Sequence, residues 1–278
     1  MPDEADPFKS AVAQRAQLLE RLASIPPMEV SGVVSPSGVS GGKVGREELW
    51  TLRFVLRPWR VSGREIHGDA LTVIRRVSNA ELHRLREVIK PYAVVRIRVR
   101  VSSRLSTEPE GLFEEFLGFC DVDTELFSAS QELQKPVTHQ DNAFGILTLD
   151  RRVNWWSCKT KWNDGSITLN VACGRAGSLI EGLSTAHDLW KDQDRWEKRV
   201  KDYAALRLLA LRNDAWSDED EQPLDVDQFK DRMTLESITV YPDGDLQFWY
   251  NDGDLFWGHA IHVSGSLAAG PTDADTPG

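Results

Sequence analysis

The chain has 278 residues, 41% of them hydrophobic, 27% charged and 9% aromatic, with a formal net charge of −10. Such a composition excludes general disorder, allows two ordinary domains that bury cores without covalent staples, and contains no apolar run of membrane-spanning length. Cys120, Cys158 and Cys173 lack Cys-x-x-Cys spacing and the N-terminus is acidic, so the expectation is a cytoplasmic protein with free thiols, no metal and no cofactor.

Residues 7–25 read as a helix, because Val12, Leu18, Leu19 and Leu22 recur at helical spacing and Pro26-Pro27 forbid continuation. This helical arm spans 1–26. From Met28 the period becomes two, and strands are expected at 28–34, 49–59, 71–77, 93–101 and 115–122, with a Gly/Ser-rich loop at 35–45. In the second strand Trp50, Leu52, Phe54 and Leu56 oppose Thr51, Arg53, Val55 and Arg57. In the fourth, Val95, Ile97, Val99 and Val101 oppose Arg96, Arg98 and Arg100. Between the third and fourth, Ser78 can cap a helix that carries Glu81 three residues on and ends before Pro91. Three strands, a helix and two strands is the order of the five-stranded OB-like barrel, here expected over 27–127, with an open antiparallel sheet plus helix as the competing arrangement.

A polar stretch containing Pro136 places a linker at 128–140. The region 141–264 then reads as an acidic α+β domain, an antiparallel sheet of about six strands with helices on one face. Its strands are expected at 144–149, 154–162, 166–172, 235–241, 245–250 and 258–263. Asn163-Asp164-Gly165, Pro242-Asp243-Gly244 and Asn251-Asp252-Gly253 supply turns between them. Residues 183–211 are helical, as one helix or two, with an apolar stripe of Trp196, Val200, Tyr203, Ala204, Leu208 and Leu211. An acidic loop at 217–221 and a short helix at 225–231 follow, and the tail at 265–278 is expected to be disordered. The two strand triplets resemble each other: Trp162-Asn163-Asp164-Gly165 parallels Tyr250-Asn251-Asp252-Gly253. Internal duplication and convergent turn chemistry both account for this.

Charge is unevenly spread. Residues 27–105 hold 15 Lys+Arg against 7 Asp+Glu, a balance of +8, while residues 106–278 hold 15 against 32, a balance of −17. One candidate surface is therefore the acidic, aromatic run near the C-terminus, in which Asp243, Asp245, Asp252, Asp254, Trp257 and His259 are the expected partner-binding residues. Its aspartates are also what turns require, and the spacing fits neither a calcium loop nor a two-histidine zinc site. His259 is the one weak catalytic candidate, an acid/base group flanked by aspartates. A second surface is the arginine face of the barrel, with Arg53, Arg57, Arg76, Arg96, Arg98 and Arg100, and Trp59 for stacking. It suits either docking onto an acidic surface or single-stranded nucleic acid. Nucleotide-binding loops, nucleophile elbows and His-Glu-x-x-His motifs are missing from the sequence.

The run Phe144-Gly145-Ile146-Leu147-Thr148-Leu149-Asp150, Phe229, and the ending Asp252-Gly253-Asp254-Leu255-Phe256-Trp257-Gly258-His259-Ala260-Ile261 resemble an uncharacterised bacterial domain family, known only as a domain of unknown function. The resemblance covers residues 141–264 and implies an immunity or partner-binding role in bacterial conflict systems; with the acidic charge of this region, the expectation is a non-catalytic module that binds a protein partner such as a basic toxin. It brings no catalytic residues to carry over.

Overall fold

Two compact units divide the chain between Lys135 and Pro136. The computed structural model describes residues 7–45, 47–102, 109–120, 122–174, 178–217 and 221–277. Residues 218–220 of the expected acidic loop lie outside them.

In the first unit the helical arm is α1 (Pro7–Ala23), which buries Leu22 completely. Six strands follow: β1 (Met28–Val34), β2 (Ser40–Gly42), β3 (Trp50–Val61), β4 (Leu71–Val77), β5 (Val94–Ser102) and β6 (Glu110–Phe119). Helix α2 (Asn79–Val88) lies between β4 and β5, and α3 (Thr124–Gln134) closes the unit. β1 pairs with both β3 and β5, so the order β1-β5-β6-β4-β3 closes on itself. The third and fifth barrel strands, β4 and β6, run parallel, and the other pairings are antiparallel. This is the OB-like strand order, with β2 added at the rim of β3 in the loop expected to be unstructured.

Alternation fills the barrel with Leu52, Phe54, Val73, Val95, Ile97 and Val99, and α2 caps one end with Leu82 and Leu85. Ser78 caps α2 as its position requires, its hydroxyl accepting from the Glu81 amide at 3.1 Å. Helix α3 stands where a linker was expected. Asp123 caps it, and Leu126 packs over Val33 and Val94 on the outside of the barrel. Ser128, Gln131, Glu132 and Gln134 therefore belong to the solvent face of an amphipathic helix, while Ser130 is buried and donates to the Tyr92 carbonyl at 2.7 Å.

The second unit is a single eight-stranded sheet in sequential order: β7 (Thr138–Asp141), β8 (Gly145–Asp150), β9 (Trp155–Trp162), β10 (Gly165–Ala172), β11 (Thr234–Val240), β12 (Asp245–Asn251), β13 (Ile261–Ser266) and β14 (Gly270–Asp275). The expected six strands are all present. The two added ones are the edges, β7 in the supposed linker and β14 in the supposed tail. A composition of Gly, Pro, Thr and Asp suits an edge strand, which needs pairing on one side only. Two antiparallel meanders meet at the parallel pair β10–β11, joined by α4 (Ile180–Trp190), α5 (Gln193–Ala215) and α6 (Val226–Arg232).

These helices supply the apolar cover of one sheet face, where Leu169, Val171, Ile238, Phe248 and Val263 meet Leu189, Trp196, Val200 and Leu208. The buried stripe of α5 runs Trp196, Val200, Ala204, Leu208, Arg212. Leu211, assigned to it from sequence, is 43% exposed, and the fully buried side chain one position on is an arginine. The opposite sheet face carries an unbroken cross-strand row of Thr148, Ser157, Asn170, Thr239, Gln247 and Ser264. Among the described residues, no helix is long and apolar enough to cross a membrane.

Candidate functional site

The Asp-Gly-Asp-Leu-Phe-Trp-Gly-His run forms the connection between β12 and β13, and it is longer than the tight turn its first residues predict. β13 starts at Ile261 rather than at 258, because two turns stand back to back. In the first, the Leu255 amide donates to the Asp252 carbonyl at 3.1 Å around Gly253 (φ 56°) and Asp254 (φ 63°). In the second, the His259 amide donates to the Phe256 carbonyl at 3.1 Å around Trp257 (φ 54°) and Gly258 (φ 89°). Leu255 and Phe256, the residues between, are wholly buried and pin the loop to the core.

Asp252 organises both turns. It is 2% exposed, and one carboxylate oxygen accepts from the amides of Phe256 (2.7 Å) and Gly258 (3.1 Å). It therefore has no surface to offer a partner, against the expectation that grouped it with the binding aspartates. Gly253 is required for a different reason: a Cβ there would lie 2.4 Å from the Arg232 carbonyl. What the loop presents outward is Asp254 and Trp257, the latter 65% exposed. Trp257 leans on Trp216 (centroids 4.9 Å apart, 60°), and His259 meets the same ring edge-on at 5.3 Å. Trp216, at the C-terminal end of α5, is the member of this cluster that sequence reading missed. Its signal was its place two residues before the acidic run at 218–221.

Beside the cluster, the buried Arg212 and the half-exposed Arg232 both hold Glu221. The hydrogen bond from Arg212 is the main cause that keeps the Glu221 carboxyl below its usual range. Asp243 and Asp245 lie at the other end of the seven-residue β12, about 20 Å away at the usual strand rise. The six acidic and aromatic candidates thus divide between two places.

His259 sits in the loop rather than on a strand, against an indole and not an aspartate. The described histidine–aspartate pairs are elsewhere: His187 Nε2 to Asp141 Oδ2 and His262 Nδ1 to Asp275 Oδ1, each 3.0 Å. Sequence separations of 46 and 13 residues hid them. Burial works to raise the Asp141 pKa, but the Ala143 and Phe144 amides and His187 outweigh it and hold the carboxyl below its usual range. Burial, with the Asp141 charge adding to it, pushes the nearby Cys158 thiol up, the wrong direction for a nucleophile.

The arginines of the first unit do not form one platform. Arg100 pairs with Glu114 and donates to the carbonyls of Ala23 (3.0 Å) and Ile25 (2.6 Å), closing the end of α1. Arg98 pairs with Glu115, and Arg76 with Glu47. Arg57 donates to the Gly68 carbonyl. Arg53 and Arg96 are exposed, on β3 and β5, which β1 separates. Trp59 is 4% exposed and stacks on His67, so it offers no ring for stacking. Between Val34↔Leu56 and Gly32↔Trp59, two steps of β1 oppose three of β3, and this bulge turns Trp59 inward.

Residues 141–276 match the family described as "Uncharacterized protein conserved in bacteria (DUF2262)". Residues 14–133 match a second family, described as "Domain of unknown function (DUF7021)". Comparison with curated proteins and with solved structures found no match.

Proposed function

We propose, from the premise that each half of the chain matches a family without a described activity, that the C-terminal unit is a non-catalytic protein-recognition module whose anchor is Trp257. The supporting observation is the backbone beneath that side chain. A bulky aromatic in the left-handed region costs about 1–3 kcal/mol and persists where the surroundings over-determine it. Glycine would meet the backbone demand at no such cost. A tryptophan retained there and held largely in solvent fits a preformed contact residue, and tryptophan is enriched among the residues that carry binding energy.

Charge bears on the partner. The C-terminal unit holds 14 Lys+Arg against 24 Asp+Glu, and Asp254 stands out from the turn next to the tryptophan's. A basic protein is the complementary surface, and the resemblance to a bacterial domain family favours an immunity-type or regulatory role against such a protein. Opposite charge of this kind speeds association and selects among partners.

The test is cross-linked capture from the native bacterium, identification of the captured protein, and titration of that purified protein against variants. Trp257→Gly is expected to weaken binding at least about thirtyfold, the size of a contact worth about 2 kcal/mol. Asp254→Asn is expected to reduce the salt dependence. Wild-type affinity in Trp257→Gly would sink the reading.

A further inference from the structure

At the far end of β12 from Trp257, on the sheet face away from the helices, lies a concavity of about 500 Å³. Asp245 stands opposite Ser266, and Gln247 opposite Ser264, on β12 and β13. Tyr241 forms one wall, and its amide donates to the Asp245 carbonyl at 3.0 Å. Thr272 of β14 forms another wall. The register of β13 against β14 shifts between Ser264 and Gly265 beside it. Gly265 is a site where a Cβ would stand 2.2 Å from the Gly270 carbonyl. Among the described residues, the side chains of Tyr241, Asp245, Gln247 and Ser264 hydrogen-bond to no other protein group.

We propose that this concavity is a binding site for a neutral polyhydroxyl ligand, a mono- or oligosaccharide. The donor and acceptor inventory decides the class. Gln247 offers two donors and an acceptor, Asp245 accepts only, and Ser264 and the Tyr241 hydroxyl do both. Vicinal hydroxyls match such a mixture, each one donating to one neighbour and accepting from the next. An apolar occupant would strand all four groups at a desolvation cost. An anion would meet Asp245, with Asp243 beside it, and among the described residues no lysine, arginine or histidine lines the hollow. A metal ion would find one lining carboxylate, and among the described residues no group of three or more possible ligands occurs. Burial, with the Asp243 and Asp245 charges, pushes the Tyr241 hydroxyl up, so it keeps its proton and stays a donor. Its ring gives the C–H face of a sugar something to pack against.

The experiment is ligand-observed NMR and calorimetry on the full chain with glucose, galactose, mannose, N-acetylglucosamine and their disaccharides, and with ethanolamine and glucosamine as cationic comparators. At least one neutral sugar is expected to bind at millimolar or tighter concentration, insensitive to salt. Gln247→Ala is expected to weaken it about tenfold, the scale of a lost hydrogen-bonding partner, and Tyr241→Ala further. Both variants should keep the wild-type melting temperature, because both side chains face away from the core. Trp257→Gly should leave sugar binding unchanged. No neutral sugar binding, binding indifferent to Gln247→Ala, or binding of the amines alone with strong salt dependence would each overturn the proposal.

Discussion

At the scale of single residues, Asp252 and Trp257 divide the labour of the C-terminal signature. Asp252→Ala orphans two amides in a buried place, and a loss of about 2–4 kcal/mol in urea unfolding is expected. Trp257→Gly, by contrast, removes a left-handed tryptophan that is 65% exposed, so stability is expected to hold or rise by up to about 1 kcal/mol in the same measurement. Opposite stability effects within six residues separate the residue that builds the loop from the residue that the loop displays. Asp141 sets a pH dependence. Its folded pKa is held below the unfolded value of about 3.9. Its stabilisation is therefore full well above that value and is lost as pH falls through the folded pKa. The gap in melting temperature between wild type and Asp141→Asn is expected to close as pH falls from 5 toward 2. A gap independent of pH would contradict the assignment.

At the scale of elements, the periodicities of the sequence were legible and the ends of its elements were not. Strict alternation marked β5, and the Ser78 cap marked α2, because both patterns are complete within about ten residues. Helix α3 and strand β14 carry the composition of a linker and a tail, because each is half-covered and shows mostly its polar side. Chain termination after Ser266 removes β14 and the 7%-exposed Ala274, and opens β13 as an unpaired edge. Loss of cooperative unfolding or aggregation is the expected result, where a disordered tail would leave the unfolding curve unchanged. Trp59 shows the limit of counting by twos: one bulge reverses the parity of everything beyond it. The two resembling triplets occupy matching places, β8-β9-β10 and β11-β12-β13, on either side of the parallel junction. Trp162 donates to Glu197 at 2.6 Å, and burial, with the charge of that same carboxylate adding to it, pushes up the pKa of Tyr250, the matching residue of the second triplet.

At the scale of the whole chain, moving the boundary changes the meaning of its charge. Cut at residue 105, the N-terminal half is basic; cut at the observed division, the first unit holds 19 Lys+Arg and 19 Asp+Glu, and the second carries the entire −10. The acids that restore the balance include Glu114 and Glu115 on β6, Asp123 at the cap of α3 and Glu125 in its first turn, which pair with Arg100, Arg98 and Arg60. Counterion release scales with free cationic contacts, so no gel shift of single-stranded DNA or RNA is expected at physiological salt, and a shift would favour the nucleic-acid alternative. The sequence by itself determined two α+β units, the OB-like order of the first and the signature loop of the second, because periodicity, caps and turns are local properties of a chain. Only the tertiary structure decided that Asp252 lies inside and Trp257 outside, that Arg57, Arg76, Arg98 and Arg100 already have partners, and that four unpaired polar side chains share a hollow. Those outcomes depend on which distant strands pair and in which register, and a one-residue shift in register exchanges the buried face for the exposed one.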